Sequence, residues 1–600
     1  MWKAINHYKE DQLVMKKKLL LPLSVLAILT LVGCSLKTTT KTEDYGSTYD
    51  YTDEITIEDP EEVEVIETTS EFVISTSDGE YAKLGDVYTI SKAGTYTLAG
   101  KLNGQILVAA GDDDEVVLEL NGVSITYDSD SPIKATSGSK LEISAKSGTD
   151  NIITDNRSAK TVEVATLGEG AISASIDLKL KGSGTLVVVG NYNNAVHTSD
   201  DLTIQKLTLK ATGYNNALKG KDSVTINSGT IQAYALTGNG IKTDNSDLSS
   251  KGNQRGTIAI NGGSLYVDSL HDAIDASYDV VVDEVDSEVP TEISIKTGTN
   301  SSNYNRSTFK ADSEKGIKAA NAITFNNGTV VIAASDDAVH ANYGDTLENG
   351  SKGLGNITVN GGVIQVASGD DGLHADNTLT INGGKVMVTG ATEGFEGNYV
   401  NINGGYSYVY GTDDGVNCSK KSFNSCAFTM TDGYLDVAVK SGDTDGIDSN
   451  GNFTLSGGVI ITRGSPGTSA SGMSTGLDVD GTISMTGGTL IAFNGLEKSP
   501  SASSVIKYAG TNSSTSMGGP GGGGPGGRNN NSSSSSSYSF QAGNYSLTGN
   551  GLSISFTNDY VYGSFQIYSS LLTSGSSYTL TRNNSTVLSW SQSANSVTIS

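Results

Sequence analysis

The sequence predicts an all-β protein: a parallel β-helix, a solenoid of coils about 22 residues long, with a small β subdomain at its C-terminus. Three observations carry this. Line openings recur in one form, as in Asp371-Gly372-Leu373-His374, Glu393-Gly394-Phe395-Glu396 and Asp414-Gly415-Val416-Asn417. Each line then holds a second and a third apolar run, such as Leu379-Thr380-Ile381 and Val386-Met387-Val388. Between those runs stands Asn-Gly-Gly, at Asn261, Asn360, Asn382 and Asn403, with Ser456-Gly457-Gly458 and Thr486-Gly487-Gly488 as variants. Asn and Gly tolerate left-handed backbone at a corner, and Asn side chains stacked about 4.8 Å apart can bond along the stack. The 73 glycines, 8 prolines and 7% aromatics suit many short turns around a thin core.

Residues 1–34 are expected to be a signal peptide. Met15-Lys16-Lys17-Lys18 is basic, Met15 being the natural start, and Leu19 to Val32 is uncharged and too short to span a membrane. Leu31-Val32-Gly33-Cys34-Ser35 resembles the bacterial lipobox. That resemblance implies lipidation of Cys34 and anchoring on the extracellular face of the bacterial cell membrane. Residues 35–70, rich in Thr and carrying Glu61, Glu62, Glu64 and Glu67, lack apolar periodicity and are expected to form a disordered acidic tether.

The β-helix is placed at 71–510. Its openings run from Asn194-Ala195-Val196 through Asp272-Ala273-Ile274 and Asp337-Ala338-Val339 to Thr475-Gly476-Leu477; earlier lines are irregular, as near a capped solenoid end. Insertions near 244–256, 284–312, 342–355 and 418–426 are expected to flank a binding face. Cys418 and Cys426 share one insertion, so with Cys34 lipidated they are the pair available for a disulfide clip outside the cell. Residues 511–537 form a Gly/Pro/Ser/Asn-rich linker, and 538–600 resume alternation as a small β subdomain, either a separate module or a cap.

Alternation also sets directions. In Asp371-Gly372-Leu373-His374, Leu373 faces the core, so His374 faces outward and Asp371 sits at the corner. Followed along the stack, the outward position gives Lys134, His197, Lys219, Lys242, Asp275, Lys318, His340, His374, Glu396, Asn417, Asp448 and Asp478, an exposed column that turns from basic to acidic. The position three residues earlier gives Asn194, Asn216, Asn239, Asp272, Lys315, Asp337, Asp371, Glu393, Asp414 and Asp445, polar at almost every coil and mainly carboxylate after Asp272.

Carboxylates about 5 Å apart repel, and they either form a solvated edge or hold a cation. Calcium takes six to eight oxygens, and Asp336, Asp337, Asp370, Asp371, Glu393, Glu396, Asp413, Asp414, Asp443, Asp445 and Asp448 are its candidate ligands. The lack of thiolate and dense histidine clusters disfavours zinc. Tyr406, Tyr408 and Tyr410 alternate outward, with Tyr266 in an equivalent column. Open tyrosines suit stacking on sugar rings, and with His340 and His374 they form the candidate carbohydrate-binding set.

Charge excludes one class of partner. A formal net charge of −27 does not suit nucleic acid, whose phosphates need Lys and Arg.

The lipobox, the acidic tether, the Asp-Gly openings with Asn-Gly-Gly turns and the Gly/Pro linker before a Gly563-Ser564-Phe565-Gln566-Ile567 tail together resemble one family. It is the carbohydrate-binding, calcium-containing β-helix proteins of clostridial-type bacteria, which are pectate-lyase-like in fold. The resemblance covers roughly residues 70–600 and implies a right-handed β-helix with bound calcium. It also implies binding of plant cell-wall polysaccharide, cellulose or polygalacturonate, without catalysis. A calcium-dependent polysaccharide lyase is the first alternative. It needs a base beside the uronate, and the few arginines lie outside the acidic columns, although Lys219, Lys242 and Lys318 face outward. A non-specific adhesin or spacer is the second.

Overall fold

Why three ladders form is visible in the burial of alternate residues. The computed structural model describes residue 55 and residues 57–161, 164–302, 304, 313–348, 350–467, 474–501, 507–511, 538–593 and 595–599. The expected signal peptide with Cys34, most of the tether as far as residue 54, and residues 512–537 of the linker lie outside the described residues. The described residues all belong to one compact unit.

The described chain is all-β, apart from a single 3-10 turn at Gly298–Asn300. Most of it belongs to one 46-stranded, largely parallel sheet. Most strands pair in parallel with the matching strand of the next repeat, commonly three places further on, so the three runs of a repeat build three ladders. In the first ladder Ile133, Ile172, Val196 and Leu218 sit in register on successive strands, and all are shut off from solvent. The same column continues through Ile241, Ile274, Ile317, Val339, Leu373, Phe395, Val416, Ile447 and Leu477. Second and third ladders contribute matching columns, for instance the stacked rings of Phe428 and Phe453, 5.1 Å apart. One elongated apolar core results.

The corner between the second and third runs takes the form expected from Asn-Gly-Gly. Asn382 Nδ2 donates to Asn360 Oδ1 at 2.9 Å, Asn403 Nδ2 to Asn382 Oδ1 at 3.0 Å, and Asn360 Nδ2 to Asn326 Oδ1 at 2.9 Å. The second glycine holds the left-handed backbone. At Gly384, φ is +77°, and an added Cβ would lie 2.7 Å from backbone atoms of the preceding repeat.

Two expectations are corrected. Residues 57–70 are not a disordered tether: they cross the outer face of the third ladder, where Tyr266 and Lys296 both donate to Asp59 at 2.7 Å. Cys418 and Cys426 are free thiols buried in the core, not a clip.

Of the two arrangements left open for the C-terminal residues, the structure has the cap. Phe565–Ser569 pairs antiparallel with Thr489–Phe493, the last strand of the third ladder. The four-stranded sheet of Gly543–Gly549, Leu552–Asn558, Ser577–Arg582 and Ser585–Ser591 then packs Tyr545, Leu547 and Phe556 over Tyr408, Tyr434, Ile461 and Phe493. Arg463 clamps this contact, donating to Asn558 Oδ1 at 2.7 Å and Thr557 O at 2.6 Å while paired to Asp436. Much of the third ladder's outer face is therefore covered, by residues 57–70 at one end and the C-terminal sheet at the other.

Candidate functional site

The first ladder carries the chemistry. Its outward column has the expected register, from His197 beside Lys219 through His340 beside His374 to Asp448 beside Asp478, with Ser173 as an extra member between Lys134 and His197. The column is not exposed, however. Most of its side chains are half-buried and Glu396 is fully buried, because the corner residues stand beside them. Nor is its N-terminal part free positive charge, since Lys219 pairs with Asp244, Lys242 with Asp275 and Lys318 with Asp272.

The neighbouring corner column has a structural job that the sequence pattern did not reveal. Asn194 Oδ1 accepts the backbone N–H of Asn216 at 3.2 Å, and Asn216 Oδ1 that of Asn239 at 3.0 Å. Asp272, Asp337, Asp371, Asp414 and Asp445 accept in the same way from Lys315, Asp371, Glu393, Asp445 and Thr475. These seven Asn and Asp side chains each satisfy a backbone donor of the next repeat with a short acceptor arm, whereas Lys315 and Glu393 in the same column bond Asp336 and Asp337, and Asn417, instead.

A cavity of about 480 Å³ opens at the N-terminal part of the column, among Glu169, Asn193, His197, Tyr214, Asn215 and Lys219. Tyr214, at the end of a third-ladder strand, is 37% exposed and presents an aromatic ring to this polar recess. Burial pushes Glu169 up, but hydrogen bonds from Lys160 and Asn193 outweigh it and hold the carboxyl below its usual range. Burial, and then the Lys219 ammonium, push His197 down to about 4, so its ring is neutral at pH 7. His197 Nδ1 is buried without a hydrogen bond. Sequence reasoning placed His197 and Lys219 in the column but missed the recess, because Tyr214 and Asn215 lie past the end of an apolar run, where alternation gives no direction.

Further along, two histidines gather carboxylates. His340 Nδ1 lies 2.7 Å from Asp337 Oδ2, and His374 Nδ1 2.9 Å from Asp371 Oδ2. Their Nε2 atoms approach one oxygen of Asp376, at 3.4 and 3.3 Å. Burial opposes charge on His374, yet hydrogen bonds to Asp337, Asp371 and Asp376 raise it to about 12, making it an imidazolium. In turn, although burial raises Asp337 and Asp376, the two histidines bring both well below the usual carboxylate range. Glu396 holds the Lys421 ammonium on one oxygen and lies 3.2 Å from His374 Nε2 with the other. The 342–355 and 418–426 insertions meet at this cluster, where Tyr343 and Phe423 rings pack 4.6 Å apart. His340 and His374 adjoin as their places in the outward column require.

The calcium candidates divide accordingly. Asp336, Asp337 and Asp370 bring oxygens within 4.8 Å of one another, a spacing one hard cation can bridge, although Lys315 already bonds the first two. Asp371 and Glu396 meet His374 instead, and Glu393 accepts from Asn417 at 2.8 Å. Asp413, Asp414, Asp443, Asp445 and Asp448 form a looser ladder and are not gathered around one point among the described residues. Burial, reinforced by neighbouring carboxylates, pushes Asp414 to about 8, Asp448 to about 7 and Asp445 to about 6. Asp177, Asp200 and Asp201 on the second ladder form an all-carboxylate triplet that sequence reasoning missed. Their nearness arises from strand register, which no single line displays.

The tyrosine expectation is corrected. Tyr266 is buried beneath Asp59, and Tyr408 beneath the C-terminal sheet. Tyr406 and Tyr410 are half-buried against that same cluster. None of the four rings stands open for a ligand.

With this geometry in place, the comparisons with known proteins are informative. The family described as "Carbohydrate-binding domain-containing protein" matches residues 84–354 and 343–394, just over half of the chain. A "Carbohydrate-binding domain-containing protein" of Acetivibrio thermocellus is 35% identical over 202 residues, covering 32% of this chain and 65% of that relative. The chain therefore spans just under two thirds of that relative's length. A solved structure, described as the polysaccharide lyase-like protein from C. thermocellum in a gadolinium derivative, is 33% identical. It covers 37% of this chain and 86% of its own, with a TM-score of 0.33.

Proposed function

We propose that this chain, which belongs to the family of carbohydrate-binding domain-containing proteins, is a non-catalytic binder of plant cell-wall polysaccharide, cellulose or polygalacturonate. On this reading it is held on the extracellular face of a bacterial cell by a lipid on Cys34. Its fold is a right-handed parallel β-helix, an architecture supported by three ladders with pairing between matching strands of successive repeats.

One observation carries the binding reading: the 480 Å³ recess that sets Tyr214 beside Asn193, Asn215, Glu169 and Lys219. Sugar rings offer an apolar C–H face and a rim of hydroxyls. A tyrosine face suits the former, and amide and carboxylate side chains pair with the latter. The recess opens on the first ladder, so a linear glycan lying along the column would meet a new polar side chain at each strand, about every 4.8 Å.

Calcium belongs to the proposal through Asp336, Asp337 and Asp370, and through Asp177, Asp200 and Asp201. Bound there, it would supply positive charge that a uronate carboxylate could share with an acidic protein. Retention of the full chain on insoluble cellulose and on a polygalacturonate gel, with and without EDTA, tests the reading. Retention on at least one is expected, with EDTA lowering retention on polygalacturonate more. Passage through both unretained would refute it.

A second reading, a polysaccharide lyase, would set a uronate beside His197 and Lys219 of the recess; an imidazole pushed down to about 4 is a weak base for removing the proton α to its carboxylate, so this reading ranks below binding. Unsaturated product absorbing in the ultraviolet would establish it.

A further inference from the structure

His374 faces more carboxylate than its two ring nitrogens can serve. Its Nδ1 stands at an ordinary hydrogen-bond distance, 2.9 Å, from Asp371 Oδ2. Its Nε2 instead meets two oxygens, Asp376 Oδ1 at 3.3 Å and Glu396 Oε2 at 3.2 Å. One imidazole nitrogen carries at most one proton, and a charge-assisted N–H···O bond settles at about 2.7–2.9 Å. Atoms that ligate one ion at about 2.0–2.2 Å stand about 2.8–3.6 Å from one another. The spacing around Nε2 is that of a coordination shell.

A second, independent observation points to a cation. Glu396 is 0% exposed, and its Oε2 has no hydrogen-bond partner. The other oxygen is engaged by the Lys421 ammonium and by Ser419 Oγ at 3.3 Å, which leaves Oε2 facing His374. One strand further along the column, Asn417 Oδ1 is also buried and unpartnered. A buried acceptor without a donor is costly, a charged one most of all, and a bound cation removes that cost.

The surroundings hold the ring as a ligand. Asp371 on Nδ1 fixes the orientation of the imidazole, the pairing by which carboxylates orient metal-bound histidines. His340, stacked on His374, repeats the arrangement, with Nδ1 2.7 Å from Asp337 and Nε2 3.4 Å from the same Asp376 oxygen. Asp371, His374 and Glu396 offer donor atoms within 4.8 Å of one another. His374 and Asp376 lie on the strand Leu373–Ile381 and Glu396 on its register partner Phe395–Ile402, so the sheet sets the spacing. Imidazole with carboxylates suits a zinc-class ion, whereas the all-oxygen Asp336–Asp337–Asp370 group suits calcium.

We propose that His374 Nε2, Glu396 Oε2 and Asp376 Oδ1 bind a divalent ion of the zinc class, with Asp371 as the positioning partner of His374. The ion replaces the proton that His374 otherwise carries, which passes to solvent. It fastens two repeats to both insertions, since Asp376 also accepts the Tyr343 N–H at 2.8 Å and Glu396 holds Lys421. Nothing in this site depends on the polysaccharide reading.

Titration of the EDTA-stripped, dialysed full chain with Zn²⁺ in excess Ca²⁺ tests this by calorimetry, and Co²⁺ in place of Zn²⁺ adds a visible spectrum. One ion is expected to bind with micromolar or tighter affinity and to raise the melting temperature. Co²⁺ is expected to give the intense bands of a four- or five-coordinate site. E396Q and D376N, each close in shape to the residue replaced, are expected to weaken Zn²⁺ binding about ten-fold or more. H271Q, at a histidine outside the cluster, is expected to leave it unchanged. The proposal is overturned if Zn²⁺ does not bind in the presence of Ca²⁺, if either folded variant binds it as tightly as wild type, or if H271Q weakens it as much. Metal-free melting temperatures show which variants fold, and if one does not, the other and the Co²⁺ spectrum of wild type decide.

Discussion

Asp414 Oδ1 accepts the backbone N–H of Asp445 at 2.8 Å, joining the corners of two successive repeats. The same carboxyl is pushed up to about 8 by burial and by Asp448 and Asp445. One oxygen is needed, and the charge is not. Asp414→Asn keeps the acceptor and removes the charge, so it is expected to raise stability at pH 8 by about 2 kcal/mol. Asp414→Ala, which orphans the N–H, is expected to lower it by about 1–3 kcal/mol. Urea denaturation of the two variants gives opposite signs on this account.

The acidic end also sets a pH dependence. Asp414, Asp445 and Asp448 have folded values near 8, 6 and 7, above the ordinary 3.8. Above that ordinary value an unfolded chain has already released protons that the folded chain retains. Stability therefore falls as pH rises from about 4 to about 8 and levels off beyond. His374, raised to about 12, adds a loss that begins above its ordinary 6.5. Asp337 and Asp376 act in the opposite sense, but only as pH falls below the usual carboxylate range. Melting temperature in EDTA is expected to be higher at pH 5 than at pH 8.

His374 is a cation of its cluster beside Lys315 and Lys421, and its ring stacks on that of His340 at 4.3 Å and 7° from parallel. His374→Ala would leave Asp337, Asp371 and Asp376 without it. A loss of about 3–5 kcal/mol is expected, as for other buried pairs broken on one side. Chemical denaturation at pH 7 measures it.

Arg463, 1% exposed, links Asp436 of the third ladder to Asn558 and Thr557 of the C-terminal sheet. Arg463→Met alone is expected to cost about 3–5 kcal/mol and to expose residues 538–599 to protease. Combined with Asp436→Leu, which removes the stranded charge, it should recover much of that loss.

How much of this was legible in the sequence depends on what each part is made of. Core columns such as Ile133 to Leu477 were, because alternation fixes which residue faces inward whatever lies around it. So was the Asn360–Asn382–Asn403 ladder, since Asn-Gly-Gly recurs there at a fixed step. The crossing of the third ladder by residues 57–70 was not: Asp59, Glu62 and Glu67 bind Lys296, Lys210 and Lys101 through side-chain ion pairs, which leave no period. Tyr408 and Tyr266 point outward as alternation requires, but what covers them comes from residues far away in the chain. The Asp337–His374 contact and the Asp177–Asp200–Asp201 triplet depend on register between repeats of unequal length.

The most direct test of the central claim is the affinity of the full chain for soluble cello-oligosaccharides and polygalacturonate fragments, compared with Tyr214→Ala by calorimetry. Tyr214 is a surface ring, so its loss should leave the fold intact. Wild type is expected to bind at least one of these glycans, and the variant at least ten-fold more weakly at unchanged melting temperature. Equal affinity in the two proteins would contradict the recess as the polysaccharide site.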